Sequence, residues 1–346
     1  MRVLVVGLGG IGQRHVRNLR ALLGGRLELS ALRALGRSEV ITDGLEMEPG
    51  ADLESRYGIR TVRTLAEGLS LPPEAVLVCT PSAFHLETAR AAVEAGSAVF
   101  IEKPLSHSWE GVPELIDAVE RRGVPAAVGF QLRFHPLLRR VRELLEHGAI
   151  GPVLAARFQV GEYLPGFHRY EDYRSLYAAR RELGGGVVLS QIHELDYAGW
   201  FFGPPRRLFA LGGHLSSLEI DVEDVASILM ECESGGRRFP VHVHLDYVQR
   251  PAARTCEIVG DDGRIGVDLR ALTLQRWDGA GRLVESHVEE GFERNRLFLD
   301  EIQHFLGCID GRASPAVSVR EGARSLRTAL AVLESLSSSR VVEVGE

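Results

Sequence analysis

Lys103 stands in the tripeptide Glu102-Lys103-Pro104, directly after the apolar run AVFI. A lysine at a strand end is usually only a surface charge. At the carboxyl edge of a parallel sheet it could exchange a proton with a substrate hydroxyl while hydride passes between the carbinol carbon and a nicotinamide. Efficient general-base action there calls for partial burial or neighbouring positive charge. A glycine fingerprint upstream and a glycine-rich segment downstream favour that reading. The downstream segment, GGGVVLSQIHELD at 184 to 196, supplies His193, Glu194 and Asp196. His193 and Asp196 lie three residues apart and can share a helix face, so the acid could orient the imidazole. A buried structural histidine is the competing reading.

The upstream fingerprint is GLGGIG, with Gly7, Gly9 and Gly12 as its glycines and Gly10 and Ile11 within the turn. It follows RVLVV and precedes a helix-like stretch. There Gly7 permits the tight turn, Gly9 lets backbone approach a pyrophosphate, and Gly12 permits close helix packing. The unliganded alternative is an ordinary tight turn. An acid about 20 residues further on would read the ribose hydroxyls of NAD. Arg33 stands 21 residues after Gly12 instead, with Arg37 nearby. This favours NADP over NAD, unless Arg33 merely faces solvent.

These residues need a scaffold. Residues 1 to 124 alternate β-branched runs (RVLVV, LELSAL, AVLVC, AVFIE) with amphipathic stretches, the α/β rhythm of a parallel sheet, and PAAVGF at 125 to 130 adds a short strand. Residues 125 to 346 differ, with long alternating segments at 153–160, 225–232 and 237–248 and a hairpin around Asp261, Asp262 and Gly263. They predict a second domain on an open, mostly antiparallel sheet, with a last helix near 320–336. One sheet face must be covered by helices or by another subunit, which points to a homodimer or homotetramer. Two domains fit a chain of 346 residues and 38.0 kDa. The net charge of −7 offers no overall argument for nucleic acid or an anionic membrane. No signal peptide or membrane-spanning stretch is evident, and Cys79, Cys232, Cys256 and Cys308 are scattered, so a reducing, cytoplasmic setting is expected.

The chain resembles the glucose–fructose oxidoreductase and myo-inositol dehydrogenase family. The resemblance rests on GLGGIG at 7–12, TPSAFH at 80–85, EAGSAVFIEKPL at 94–105 and GGGVVLSQIHELD at 184–196, in that order. It implies an α/β fold with an N-terminal Rossmann dinucleotide-binding domain and a C-terminal α+β domain on an open sheet. It assigns proton transfer and substrate binding to Lys103, puts Thr80, Pro81 and His85 on the nicotinamide side, places Glu102 among the cofactor contacts, and suggests a cis bond before Pro104. The family's downstream helix commonly carries Asp and, four residues later, His. Here Ser190 and Glu194 take those positions, and His193 comes one place early. One residue rotates a helical side chain by about 100°, so both His193 and Glu194 are catalytic candidates.

The segment 161–183 holds Tyr163, Tyr170, Tyr173 and Tyr177, four of the seven tyrosines, beside His168, Arg169, Arg174, Arg180 and Arg181. As a substrate wall, His168, Arg169, Tyr170 and Arg174 would bind a polyhydroxylated molecule, with the arginines favouring an acidic or nucleotide-activated sugar. Four acids balance the arginines, so an ion-paired domain or subunit contact is the alternative. His242 and His244 share a strand face but complete no metal site. The expected function is NAD(P)-dependent oxidoreduction of a sugar, sugar acid, nucleotide-activated sugar or cyclitol. Redox-assisted elimination, a cofactor-retaining oxidoreductase and a non-catalytic dinucleotide sensor are the alternatives.

Overall fold

The computed structural model describes residues 1–33, 39–42, 44, 46–168 and 170–345. Arg37 and Arg169, both singled out above, lie outside the described residues.

The first sheet holds β1 (Arg2–Val6), β2 (Glu28–Leu32), β5 (Ile59–Val62), β6 (Ala75–Val78), β7 (Ala98–Glu102) and β8 (Ala126–Gly129) in the order β5-β2-β1-β6-β7-β8, all parallel. Every residue of β6, β7 and β8 is buried, as expected of apolar strands covered on both faces. A small hairpin of β3 (Glu39–Ile41) and β4 (Met47–Asp52) stands beside it. The helices here are α1 (Gly10–Leu23), α2 (Leu53–Tyr57), α3 (Leu65–Leu69), α4 (His85–Glu94) and α5 (Val112–Arg122), followed by α6 (Pro136–Glu146). Because β8 pairs with β7, the boundary drawn at residue 124 falls one strand early.

The second sheet has nine strands: β9 (Val153–Gly161), β10 (Arg207–Gly213), β11 (Val225–Ser234), β12 (Arg237–Asp246), β13 (Ala253–Gly260), β14 (Gly263–Asp268), β15 (Thr273–Asp278), β16 (Leu283–Val288) and β17 (Val342–Glu343). It is mixed, since β9 and β12 run parallel while its other pairs are antiparallel. One face is covered by α7 (Val187–Ser190), α8 (His193–Phe202) and α10 (Val319–Ser338). On the other face Leu211 and Leu229 are exposed.

The carboxyl-terminal helices return to the first sheet. Ile302 and Phe305 of α9 (Asn295–Ile309) share a core with Val3, Val5, Leu77 and Phe100. The start of α10 is pinned to β8, where Val128 N–H donates to Val317 O at 3.0 Å, and a Ser318/Glu321 capping box closes the helix. The remaining core runs without interruption from the first sheet into the second.

Candidate active site at the domain junction

The glycine turn is built by backbone contact. A side chain on Gly7, whose φ is +95°, would meet Cys79 O at 2.6 Å, and one on Gly12 would meet Gly7 O at 2.0 Å. These two positions bring β1, α1 and the end of β6 together. Gly9 is different: a Cβ there has nothing within 4 Å, so its missing side chain leaves open space in front of the α1 N-terminus. Free N–H groups of the first turn, from Gly10 and Ile11 onward, face that space. Close packing at two glycines and room at the third fit a dinucleotide pyrophosphate. Arg33 follows β2 directly, and its Nη2 lies 3.2 Å from Glu54 Oε1.

Lys103 leaves the carboxyl end of β7 through a cis bond to Pro104. Its Nζ donates to Ser190 O at 2.8 Å, across the junction from α7. Three glycines allow that approach. Added side chains on Gly184, Gly185 and Gly186 would strike Ser82 Oγ, Tyr177 O and the Glu223 carboxylate, at 2.1, 2.3 and 2.2 Å. Gly186 O also accepts from the buried Tyr247 hydroxyl at 2.8 Å. The segment is thereby pressed against the 80–84 loop, and α8 starts beside Lys103.

The three polar residues at the start of α8 part company. His193 is 5% exposed, with its ring edge-on to Phe130 and Nδ1 bonded to nothing among the described residues. Burial, then the charges of Lys103, Arg254 and Arg294, hold its imidazole well below the ordinary histidine range, so it is neutral at pH 7. Glu194 is fully buried in a fork–fork pair with Arg254 (Nε 2.7 Å, Nη2 2.9 Å) and accepts from Tyr197 OH at 2.9 Å. Asp196 accepts from Arg133 Nε at 2.9 Å, Arg133 Nη2 at 2.8 Å and Ser325 Oγ at 2.7 Å. The expected His193–Asp196 partnership is therefore corrected. Both Asp196 oxygens are taken by groups behind the helix, because a buried guanidinium claims a carboxylate more strongly than a neutral ring does. Glu194 likewise faces Arg254, holding it through both carboxylate oxygens.

Two more expectations change. Both ring nitrogens of His85 sit 2.8 Å from carbonyl oxygens, of Pro104 and Thr80, so this buried ring braces two site loops from beneath rather than lining them. Glu102 turns inward to His15 Nε2 at 2.6 Å, while its other oxygen accepts from Lys103 N at 3.2 Å. It shapes the lysine turn from within. Thr80 Oγ1, beside half-buried Pro81, is buried without a partner among the described residues.

In the tyrosine-rich segment, Arg174 is held by Asp172 and Glu219, His168 Nδ1 lies 3.3 Å from Glu171, and its ring stacks on Tyr170 at 5.3 Å. Arg180 pairs with Glu182, and Arg181 bonds to Asp221. The segment thus uses most of its charge internally. His242 bonds to Ser227 and His244 faces Asp246. No group of three or more candidate metal ligands occurs among the described residues, and none of their helices is long and apolar enough to cross a membrane.

Arg133 and Arg254 escaped the reading of the sequence. Arg254 did leave a trace: it alternates with Cys256 and Ile258 on the buried face of β13, where a cation needs a partner.

A glycine turn facing a lysine and a histidine across a domain junction marks the class of dinucleotide-binding oxidoreductases. The comparisons agree: "Oxidoreductase family, NAD-binding Rossmann fold" matches residues 1–130, and "GFO/IDH/MocA C-terminal domain" matches residues 138–266. The chain belongs to the GFO/IDH/MocA oxidoreductase family. The myo-inositol 2-dehydrogenase of Thermotoga maritima is 30% identical over 361 residues, covering 100% of this chain and 99% of its own length. Among solved structures, levoglucosan dehydrogenase in complex with NADH superposes with a TM-score of 0.83 at 20% identity, covering 100% of this chain and 99% of that one. The WlbA dehydrogenase from Bordetella pertussis, in complex with NADH and UDP-GlcNAcA, gives 0.80 at 22%, again covering 100% and 99%. At these identities the two structures establish the fold alone.

Proposed function

We propose that the protein is an NAD(P)-dependent dehydrogenase or reductase acting at a carbinol or carbonyl carbon of a sugar, sugar acid, nucleotide-activated sugar or cyclitol. The observation that carries this is the Lys103 amino group, anchored on Ser190 O at the end of β7 beside a neutral His193. NAD(P), when bound on the Gly7–Gly12 turn, supplies the hydride acceptor. In the oxidation direction, with the coenzyme there to take up hydride from the carbinol carbon, the hydroxyl proton would pass to the lone pair of the Lys103 amine, which keeps an N–H on Ser190 O. His193, uncharged, holds the same hydroxyl by hydrogen bond. Thr80 Oγ1 and the backbone N–H groups of Gly10 and Ile11 contribute to the coenzyme site.

The test is coenzyme reduction followed at 340 nm on a panel of sugars, sugar acids and cyclitols. Lys103→Ala should lower kcat by about 10²–10⁴-fold with coenzyme affinity within about threefold of the parent. Near-normal turnover removes Lys103 from proton transfer. NADP is favoured through Arg33 following β2, although Glu54 competes with a 2′-phosphate for that guanidinium. Tighter NADH than NADPH binding, indifferent to Arg33→Ala, would reverse the preference. One observation supports a second reading: the position where the family carries histidine holds Glu194, locked to Arg254. A protein that binds NADPH yet turns over nothing on the panel is a dinucleotide sensor. The outer sheet face bearing Leu211 and Leu229 suits a homodimer or homotetramer, and four buried free cysteines suit a reducing, cytoplasmic setting.

A further inference from the structure

Strand register gathers charge at one end of the second sheet. Gly161, the last residue of β9, pairs with Ala253, and Leu269 N donates to Arg254 O. Glu162, Arg254 and Arg270 therefore lie at the same end of the neighbouring strands β9, β13 and β14. The chain leaving β16 returns there, since Glu289 N donates to Leu272 O, and five residues later Arg294 caps α9. Arg254 at this end reaches Glu194, the residue after His193, and the charges acting on that ring are Lys103, Arg254 and Arg294, every one a cation.

These cations are not equally satisfied. Arg254 is neutralised by Glu194 through two hydrogen bonds. The Arg294 and Arg270 side chains have no hydrogen bond or ion pair among the described residues, and Arg254 and Arg270 both add positive potential at Arg294, against Glu162 alone. Arg174, the described arginine expected to favour an acidic substrate, already holds two carboxylates. A strand-end cluster whose exposed Arg294 and Arg270 are unpaired among the described residues, with Arg294 among the charges acting on His193, is suited to an anion that accepts from planar N–H donors.

We propose that the substrate is itself anionic, carrying a carboxylate on its polyhydroxylated skeleton that is received by Arg294 with support from Arg270. This puts a hexuronate or related sugar acid ahead of a neutral sugar or cyclitol. It rests on the oxidoreductase reading given above and narrows its substrate class.

The full-length enzyme, supplied with NAD or NADP, is assayed on a hexuronate, the matching neutral hexose and a nucleoside diphosphate hexose. The expected result is a kcat/KM for the hexuronate at least about tenfold above that for the hexose, with Arg294→Met lowering that ratio about tenfold, the size of a lost charge-assisted hydrogen bond. A hexose used as well as the hexuronate, or a ratio untouched by Arg294→Met, overturns the proposal. A preference for the nucleoside diphosphate hexose that Arg294→Met abolishes also overturns it, assigning the cation to a pyrophosphate. If none of the three is turned over with either coenzyme, the oxidoreductase reading has failed on this panel, and hexuronate binding to the NADH-loaded protein by calorimetry decides the anion site. Affinity weakened about tenfold by Arg294→Met supports it, and no measurable binding overturns it.

Discussion

The two halves of the site are made differently. The Gly7–Gly12 turn is shaped by backbone meeting backbone, Gly12 against Gly7 O and Gly7 against Cys79 O, whereas the start of α8 is shaped by side chains reaching from other elements: Arg133 to Asp196, Arg254 to Glu194 and Lys103 to Ser190. A site formed by backbone close packing announces itself in glycine spacing. A site formed by remote pairing does not, and changing one of its residues disturbs a partner in another element.

That contrast can be broken by experiment. The largest effect after the loss of Lys103 is expected from Glu194→Ala, which strands the Arg254 cation and should cost about 3–5 kcal/mol of stability by denaturant unfolding. His193→Ala, with no hydrogen bond among the described residues to lose, should leave the unfolding midpoint much less changed. Equal losses in both variants would mean that Glu194 does not hold Arg254 in solution. In the glycine turn, Gly12→Ala drives a methyl group into Gly7 O and should lower both Tm and coenzyme affinity. Gly9→Ala should keep Tm within about 1 °C yet weaken coenzyme binding by about tenfold or more, because its Cβ enters only the open space kept for phosphate. Unchanged affinity in Gly9→Ala would move the pyrophosphate elsewhere.

The smallest effect concerns Glu301 on α9, whose buried carboxyl oxygens have no partner among the described residues. Burial, then Glu102 and Asp196, pushes its pKa well above the ordinary 4.5. The folded state therefore keeps a proton that the unfolded chain loses, so this group's contribution is intact below pH 4.5 and declines as pH rises. Glu301→Gln should stabilise the protein by roughly 1–2 kcal/mol at pH 8 and by nothing at pH 4, measured by urea unfolding at both values. A destabilised variant at pH 8 would show the carboxylate to be ionised and paired.

Much of the fold was legible because buried parallel strands leave unbroken apolar runs and an open sheet leaves alternation. The hairpin at Asp262–Gly263 and the last helix followed from local signals. The lysine turn was legible as well, since Lys103 sits where β7 ends. The roles of Glu194 and Asp196 were not, because helical spacing says which residues share a face and nothing about which guanidinium lies opposite. α9 escaped for a related reason: its apolar side is matched to strands roughly 200 to 300 residues earlier, and no local pattern records that match.

The return of α9 to the first sheet has a consequence for biosynthesis. Val3, Val5, Leu77 and Phe100 reach their final packing only when Ile302 and Phe305 arrive. At ribosomal speeds of about 5–20 residues per second, β8 emerges roughly 10–35 s before those two side chains do. Through that interval the nascent amino-terminal half carries a sheet face that α1 and α2 cover only in part. A fragment ending after β8 would therefore lack the part of its core that Ile302 and Phe305 supply.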